Sequence, residues 1–121
     1  MMKIAFPLKN ENELSNDFEY ARFIGIYDKR LNKFEIFTLS EIKNQIGLSR
    51  FFDKMATQGL KAVISPFYSY LSLHVFKEIH IATYKAHSFN LKENISLIRK
   101  GKLELFDVHE SLLTGMCIQK A

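Results

Sequence analysis

The sequence predicts an α/β domain: a mixed five-stranded sheet in the order 3-2-1-4-5, with strand 2 antiparallel and helices on both faces. Three observations lead there. Three strand-like apolar runs come first, joined by short polar loops. Helix-length segments then alternate with further short strands. Within that second half, Lys61 to Tyr84 reads as strand, helix and strand in succession. Short loops make an antiparallel meander, whereas a helix between two strands returns the chain parallel. Placing the first strand mid-sheet satisfies both conditions with the fewest crossings.

Lys3 to Leu8 (KIAFPL) opens as a strand, and Pro7, lacking an N–H, should end its regular pairing. Lys9 to Asp17 is polar and turn-prone, with one apolar Leu14, and reads as a loop. Tyr20 to Asp28 alternates as a strand, Asp28 to Lys33 turns, and Phe34 to Leu39 returns. Ser40 to Ile46 reads as a connection. Leu48, Phe51 or Phe52, and Met55 have helical spacing over Gly47 to Gln58, and Gly59 supplies the left-handed stop. Ala62-Val63-Ile64 and Ile79-His80-Ile81-Ala82 are short and rich in β-branched residues, as buried strands are. Between them Ser65 is placed to cap a helix whose first position is Pro66, where a proline sacrifices no needed donor.

Lys85 to Ser88 then forms a short loop. Asn90 and Glu93 have capping-box spacing, Leu91, Ile95 and Ile98 share a face, and Gly101 ends that helix. Leu103 to Val108 alternates as a strand does, and Ser111 to Gln119 has the spacing of a short amphipathic helix. Residues 1–103 are thus expected as one domain and 104–121 as a C-terminal extension. The three-layer arrangement is the ribonuclease-H-like motif.

Composition narrows the functional classes. With 121 residues, 47% hydrophobic and 25% charged, the chain is sized for one ordinary globular core. The net charge of +4 is dispersed along the sequence, which suits solubility and not a nucleic-acid footprint. One cysteine cannot form an internal disulfide and fits a reducing cytoplasm. The opening MMKIAFPLKNENEL reads as having no signal peptide, and no apolar run is long enough to span a membrane. Nucleases of this topology clamp two metals with carboxylates on the first strand. Lys3-Ile4-Ala5-Phe6 provides none. No Gly-rich phosphate loop, Ser-His-Asp set or Cys-His pair appears, so the chain is not expected to be an enzyme.

Several stretches nevertheless resemble one family. Met2 to Pro7 is similar to its opening strand. Leu14-Ser15-Asn16-Asp17-Phe18-Glu19-Tyr20-Ala21-Arg22-Phe23 is similar to the loop that leads into its Ile-Tyr-Asp strand, here Ile26-Tyr27-Asp28. Leu60 to Ser65, Ile79 to Ile81, and Glu93 through Leu103 continue the likeness. Together they resemble the dinitrogenase iron-molybdenum cofactor biosynthesis domain. The resemblance implies a carrier or scaffold for an iron-sulfur or iron-molybdenum cofactor precursor, with cofactor-assembly or regulatory proteins as partners. The chain departs from the family at its site motifs. Asp17 stands where a His is usual and Glu19 where a Gly is usual. Ser65-Pro66-Phe67-Tyr68 replaces a glycine-rich turn, and Ser40 to Phe52 contains no Cys or His. Thiolate and imidazole are the donors that suit iron clusters, so these departures weaken the cofactor inference.

Carboxyl ends of strands are where open α/β sheets bind ligands. The expected mouth is therefore Asn16, Asp17, Phe18, Ser65, Phe67, Tyr68 and His87. Asp17 and Glu19 read either as cation or hydrogen-bond acceptors or as ordinary polar loop residues. Phe67 and Tyr68 read either as an aromatic lip or as core aromatics closing the sheet end. His74, His80, His87, His109 and Cys117 show no metal-ligand spacing, and a metal site stays unassigned. The leading expectation is a non-enzymatic binding domain. The alternative is a protein-interaction or regulatory module, with Leu112, Leu113, Met116 and Cys117 as its working surface.

Overall fold

The computed structural model describes residues 2–102 and 104–105. Among these, the elements run β1 (Lys3–Leu8), β2 (Phe23–Asp28), β3 (Lys33–Thr38), α1 (Leu39–Gln45), α2 (Leu48–Thr57), β4 (Leu60–Ser65), α3 (Tyr70–Glu78), β5 (Ala82–Lys85), α4 (Leu91–Arg99) and β6 (Glu104–Leu105). The sheet order is β3-β2-β1-β4-β5-β6. Strands β1, β4 and β5 are parallel, while β2 runs antiparallel to both β1 and β3. The 3-2-1-4-5 arrangement expected from the sequence is the one found. It gains one further short strand, β6, antiparallel to β5.

Strand period sorts the side chains onto two faces. Ala5, Ile24, Ile26, Leu60 and Val63 point to the side covered by α1, α2 and α3, where Phe51, Phe52, Met55 and Phe76 complete the core. Ile4, Phe6, Leu8, Ala62 and Ile64 point to the other side, covered by α4 through Leu91 and Ile98 and by Leu14 of the first loop. Gly25 lies on this second face. A Cβ there would meet the Phe34 ring at 2.5 Å and Leu8 at 2.7 Å, so glycine leaves room for both side chains against the strand.

The structure corrects several local expectations. Strand β1 continues through Pro7, paired to Ile24, and stops pairing only on its other edge, where the register with β4 ends at Ala5↔Val63. The amide of Lys3 donates to Gly59 O, so the odd positions of β1 aim their amides at β4. Pro7 therefore has its missing donor on the side where pairing has already ended. Ser40 to Ile46 is mostly helix α1, not a connection, and β2 begins at Phe23, not Tyr20. Helix α3 starts at Tyr70 with Ser69 as its cap, well past the expected start at Ser65–Pro66. Its end also moves. His80 takes a φ of 59, in the left-handed region. The amides of His80 and Ile81 donate back to Lys77 O and Phe76 O, which makes a Schellman stop. His80 is thus a helix terminator and not a strand residue, and β5 begins only at Ala82.

Helix α4 has the caps its sequence promised. Asn90 Oδ1 accepts from the Glu93 amide at 2.9 Å. Gly101 adopts a φ of 69 at the other end. Glu93 does not close the box directly. It takes the Ser88 hydroxyl, and Ser88 Oγ in turn accepts from the Asn90 amide. The expected helix at Ser111 to Gln119 lies outside the described residues.

Candidate functional site

The carboxyl ends of β1, β4 and β5 come together with the loop after β1. That loop doubles back because Asn10 Oδ1 accepts from the amides of Asn12 and Glu13, a tight side-chain-stabilised turn. Its return leg is tied on both sides: the Ser15 amide donates to Pro7 O and the Leu14 amide to Phe89 O. This delivers Asn16 to the end of β4. Its carbonyl accepts from the Phe67 amide at 3.0 Å and from Ser65 Oγ at 3.3 Å. Ser65 Oγ also faces Phe67 O at 2.7 Å, and Ser65 is fully buried. This non-local bond explains why the helix does not start at Ser65. A hydroxyl drawn to the carbonyls of distant Asn16 and nearby Phe67 is not accepting amides as a cap.

Three of the expected mouth residues, Asn16, Ser65 and Phe67, are thus joined directly. Phe18 and Tyr68 join through their rings, whose centroids lie 6.4 Å apart. Both sit in a cluster with Phe52 and Phe76, whose contacts are edge to face. Both are core residues, at 2% and 1% exposure. The Tyr68 hydroxyl lies 3.0 Å from Val63 O and 2.5 Å from Tyr84 O, which ties β4 to β5 at their ends. Burial pushes its phenol well above the ordinary range. Asp17 turns inward on its own loop, its carboxylate accepting the Tyr20 amide at 3.0 Å. His87 is exposed. Its backbone amide is held by Asn94 Oδ1 of α4 at 2.8 Å, on the opposite face of the sheet.

Beside this packed rim lies a cleft the sequence did not reveal. It opens between the starts of α2 and α3, holds about 220 Å³, and is walled by Phe18, Leu48, Phe52, Leu71, Val75 and Phe76. Leu71 is 65% exposed at its edge. Glu19 stands over it, with Oε1 accepting from Ser69 Oγ at 2.9 Å, while Ser69 Oγ accepts the Ser72 amide as the α3 cap. The apolar spacing of α2 was legible. That three distant segments meet at its amino end was not.

These residues do not fit the iron-sulfur group that the family resemblance implies. The Ser65 hydroxyl and Tyr68 phenol are committed to backbone carbonyls, Asp17 is turned into its loop, and among the described residues no thiol stands at this rim. Among the described residues, nowhere do three or more His, Cys, Asp or Glu side chains gather as metal ligands would. Cys117 and His109 lie outside the described residues.

No family model matches the chain. The fold is shared with the apo form of the orange protein from Desulfovibrio gigas (TM-score 0.70, 11% identity, 88% of this chain and 93% of that one). It is shared too with a Thermotoga protein provisionally named as a NifB protein of the DUF35 family (TM-score 0.67, 18% identity, 87% and 93%). A provisionally named dinitrogenase from Methanococcus jannaschii matches as well (TM-score 0.67, 20% identity, 88% and 93%). At these identities the likeness is one of fold. In sequence, the chain is 31% identical over 111 residues to the uncharacterized protein MJ0580 of Methanocaldococcus jannaschii, covering 88% of this chain and 93% of that one. The chain therefore belongs to the same protein family as MJ0580.

Proposed function

We propose that this chain is a non-enzymatic cytoplasmic binding domain, built on the fold of nitrogenase-related cofactor carriers but without their cluster site. The observation that carries this reading is the cleft beside Phe18. It sits near the strand ends where α/β sheets of this kind hold ligands, and it is the open space next to a rim otherwise filled by the chain's own side chains. Its walls are apolar, with one carboxylate above them, the composition of a small-molecule site with a single orienting group. An apolar ligand bearing a hydrogen-bond donor for Glu19 matches that lining. The hydroxyls nearby support binding over catalysis, since Ser65 and Ser69 hold the backbone and a helix start in place.

Nile red, a neutral apolar dye, tests the cleft. It should bind saturably at one site per chain, and Val75→Asp should abolish that binding with the circular dichroism spectrum unchanged. Dye binding that survives Val75→Asp would remove the cleft from consideration. Anaerobic reconstitution with iron and sulfide should leave the protein colourless. Stoichiometric iron with a visible charge-transfer band would restore the carrier reading.

A second reading, a protein-interaction or regulatory module, has its own support. Tyr20, Tyr70 and Leu71 are 83%, 68% and 65% exposed and lie within two residues of the hydrogen-bonded pair Glu19 and Ser69. Cofactor-assembly or regulatory proteins would then be the partners. The apolar residues Leu112, Leu113, Met116 and Cys117, which that reading also invokes, lie outside the described residues.

A further inference from the structure

A second cavity, of about 370 Å³, lies between the edge strand β3, helices α1 and α2, and the start of β1. Ligand pockets begin at roughly 300 Å³, so this space suits a small molecule. Its floor is apolar. Ile42, Phe51 and Met55 are buried there, and the rings of Phe37 and Phe51 meet edge to face with centroids 5.3 Å apart.

The walls carry opposite charges. Strand β3 and helix α1 contribute Glu35 and Glu41, while β1 and α2 contribute Lys3 and Lys54. Ala5 faces the side covered by α1, α2 and α3, and the strand period puts Lys3 on that side too. The Lys3 amide donates to Gly59 O at 3.0 Å, which sets the start of β1 beside the last turn of α2, where Lys54 stands. Across the cavity, Glu35 is in register with Ile26 of the same core, so its carboxylate shares that side. Among the described residues, none of these four side chains makes a hydrogen bond or an ion pair; the ion pair of His74 with Glu78 lies on α3. A simple anion would answer the lysines and be repelled by the glutamates, and a simple cation would meet the reverse. A zwitterion with an apolar body satisfies both walls and the floor. We propose that this cavity binds a free α-amino acid with a large apolar side chain. Its carboxylate meets Lys3 and Lys54, its ammonium meets Glu35 and Glu41, and its side chain lies on Phe37 and Phe51. The site is separate from the cleft beside Phe18 and goes beyond the reading given above.

Calorimetric titration of the full-length chain with L-phenylalanine tests it. Binding should be saturable, at one site per chain. Phenylpropionate lacks the ammonium and phenethylamine lacks the carboxylate, so each should bind about tenfold or more weakly. Glu35→Gln combined with Glu41→Gln should weaken L-phenylalanine but not phenylpropionate. Lys3→Met combined with Lys54→Met should weaken L-phenylalanine but not phenethylamine. Val75→Asp, in the other cleft, should change none of these affinities. The proposal falls if neither L-phenylalanine nor L-methionine binds saturably, or if phenylpropionate or phenethylamine binds as tightly as L-phenylalanine. Loss of L-phenylalanine binding in Val75→Asp also overturns it, by moving the site to the cleft beside Phe18.

Discussion

On one face of the sheet three helices meet over aromatic rings; on the other, a single helix and a folded-back loop lie over mostly aliphatic side chains. The aromatic face is held by shape. The rings of Phe52 and Phe76 stand 4.9 Å apart and those of Phe18 and Tyr68 6.4 Å apart. Most of these contacts are edge to face, and a cleft remains between α2 and α3 beside the rings of Phe18, Phe52 and Phe76. The cleft beside Phe18 opens on this side. The α4 face is held by hydrogen bonds at its margin. Asn94 is fully buried and uses its amide completely: Oδ1 takes the His87 amide, and Nδ2 donates to Ser88 O and Asn90 O. Ring packing dominates one face, with the Tyr68 hydroxyl tying its strand ends, and leaves clefts; a polar network pins the other shut.

Substitutions on each side should separate these two ways of closing a sheet. The largest effect belongs to Phe76→Ala, which removes a ring touching Phe18, Phe52 and Tyr68 at once. It should cost about 3–5 kcal/mol in urea unfolding and enlarge the cleft. A loss below about 1 kcal/mol would mean that the rings are not tightly packed. Next comes Asn94→Ala on the other face. It leaves the His87 amide and Ser88 O without their side-chain partner, while Asn90 O keeps only the Asn94 backbone amide. The expected cost is about 2–3 kcal/mol, read in the same experiment. Asn94→Asp should not rescue it, because an acid offers no donor to Ser88 O and Asn90 O.

Tyr68→Phe keeps the ring and removes the hydroxyl and its two bonds to carbonyls. The expected cost is about 1–2 kcal/mol near neutral pH. It also carries a pH signature. The folded-state phenol is raised above its unfolded value of 10.0. Its contribution is therefore fully present below pH 10.0 and is lost as pH climbs toward the folded value, where the unfolded chain has released the proton first. Unfolding followed from about pH 8 to about pH 11 should show a steeper alkaline decline in the unsubstituted chain than in Tyr68→Phe; parallel declines would disprove it. The smallest effect is Gly25→Ala, about 1 kcal/mol by the same denaturation, since Phe34 is only half-buried and its ring can tilt away.

Local signals carried much of the fold. Helix α4 announces both its ends, through Asn90 and Gly101. A cap is a bond between near neighbours in the chain, and a left-handed stop is a property of a single residue. The strand order followed from connection length alone. Where local signals competed, distant atoms chose. The sequence pointed to Ser65 as the cap, but its hydroxyl is taken by the carbonyls of Asn16 and Phe67, and Ser69 starts α3 instead. His80 looked like a strand residue because β-branched neighbours flank it, yet the helix before it needed a left-handed terminator there.

The sequence by itself determined the sheet order and the two-faced core, since each depends on residue type, period and connection length. Only the tertiary structure decided that Phe18 and Tyr68 are core residues, and where space remains. A cleft walled by Phe18, Leu48 and Leu71 is drawn from three segments separated in the chain, and no spacing rule couples residues that far apart.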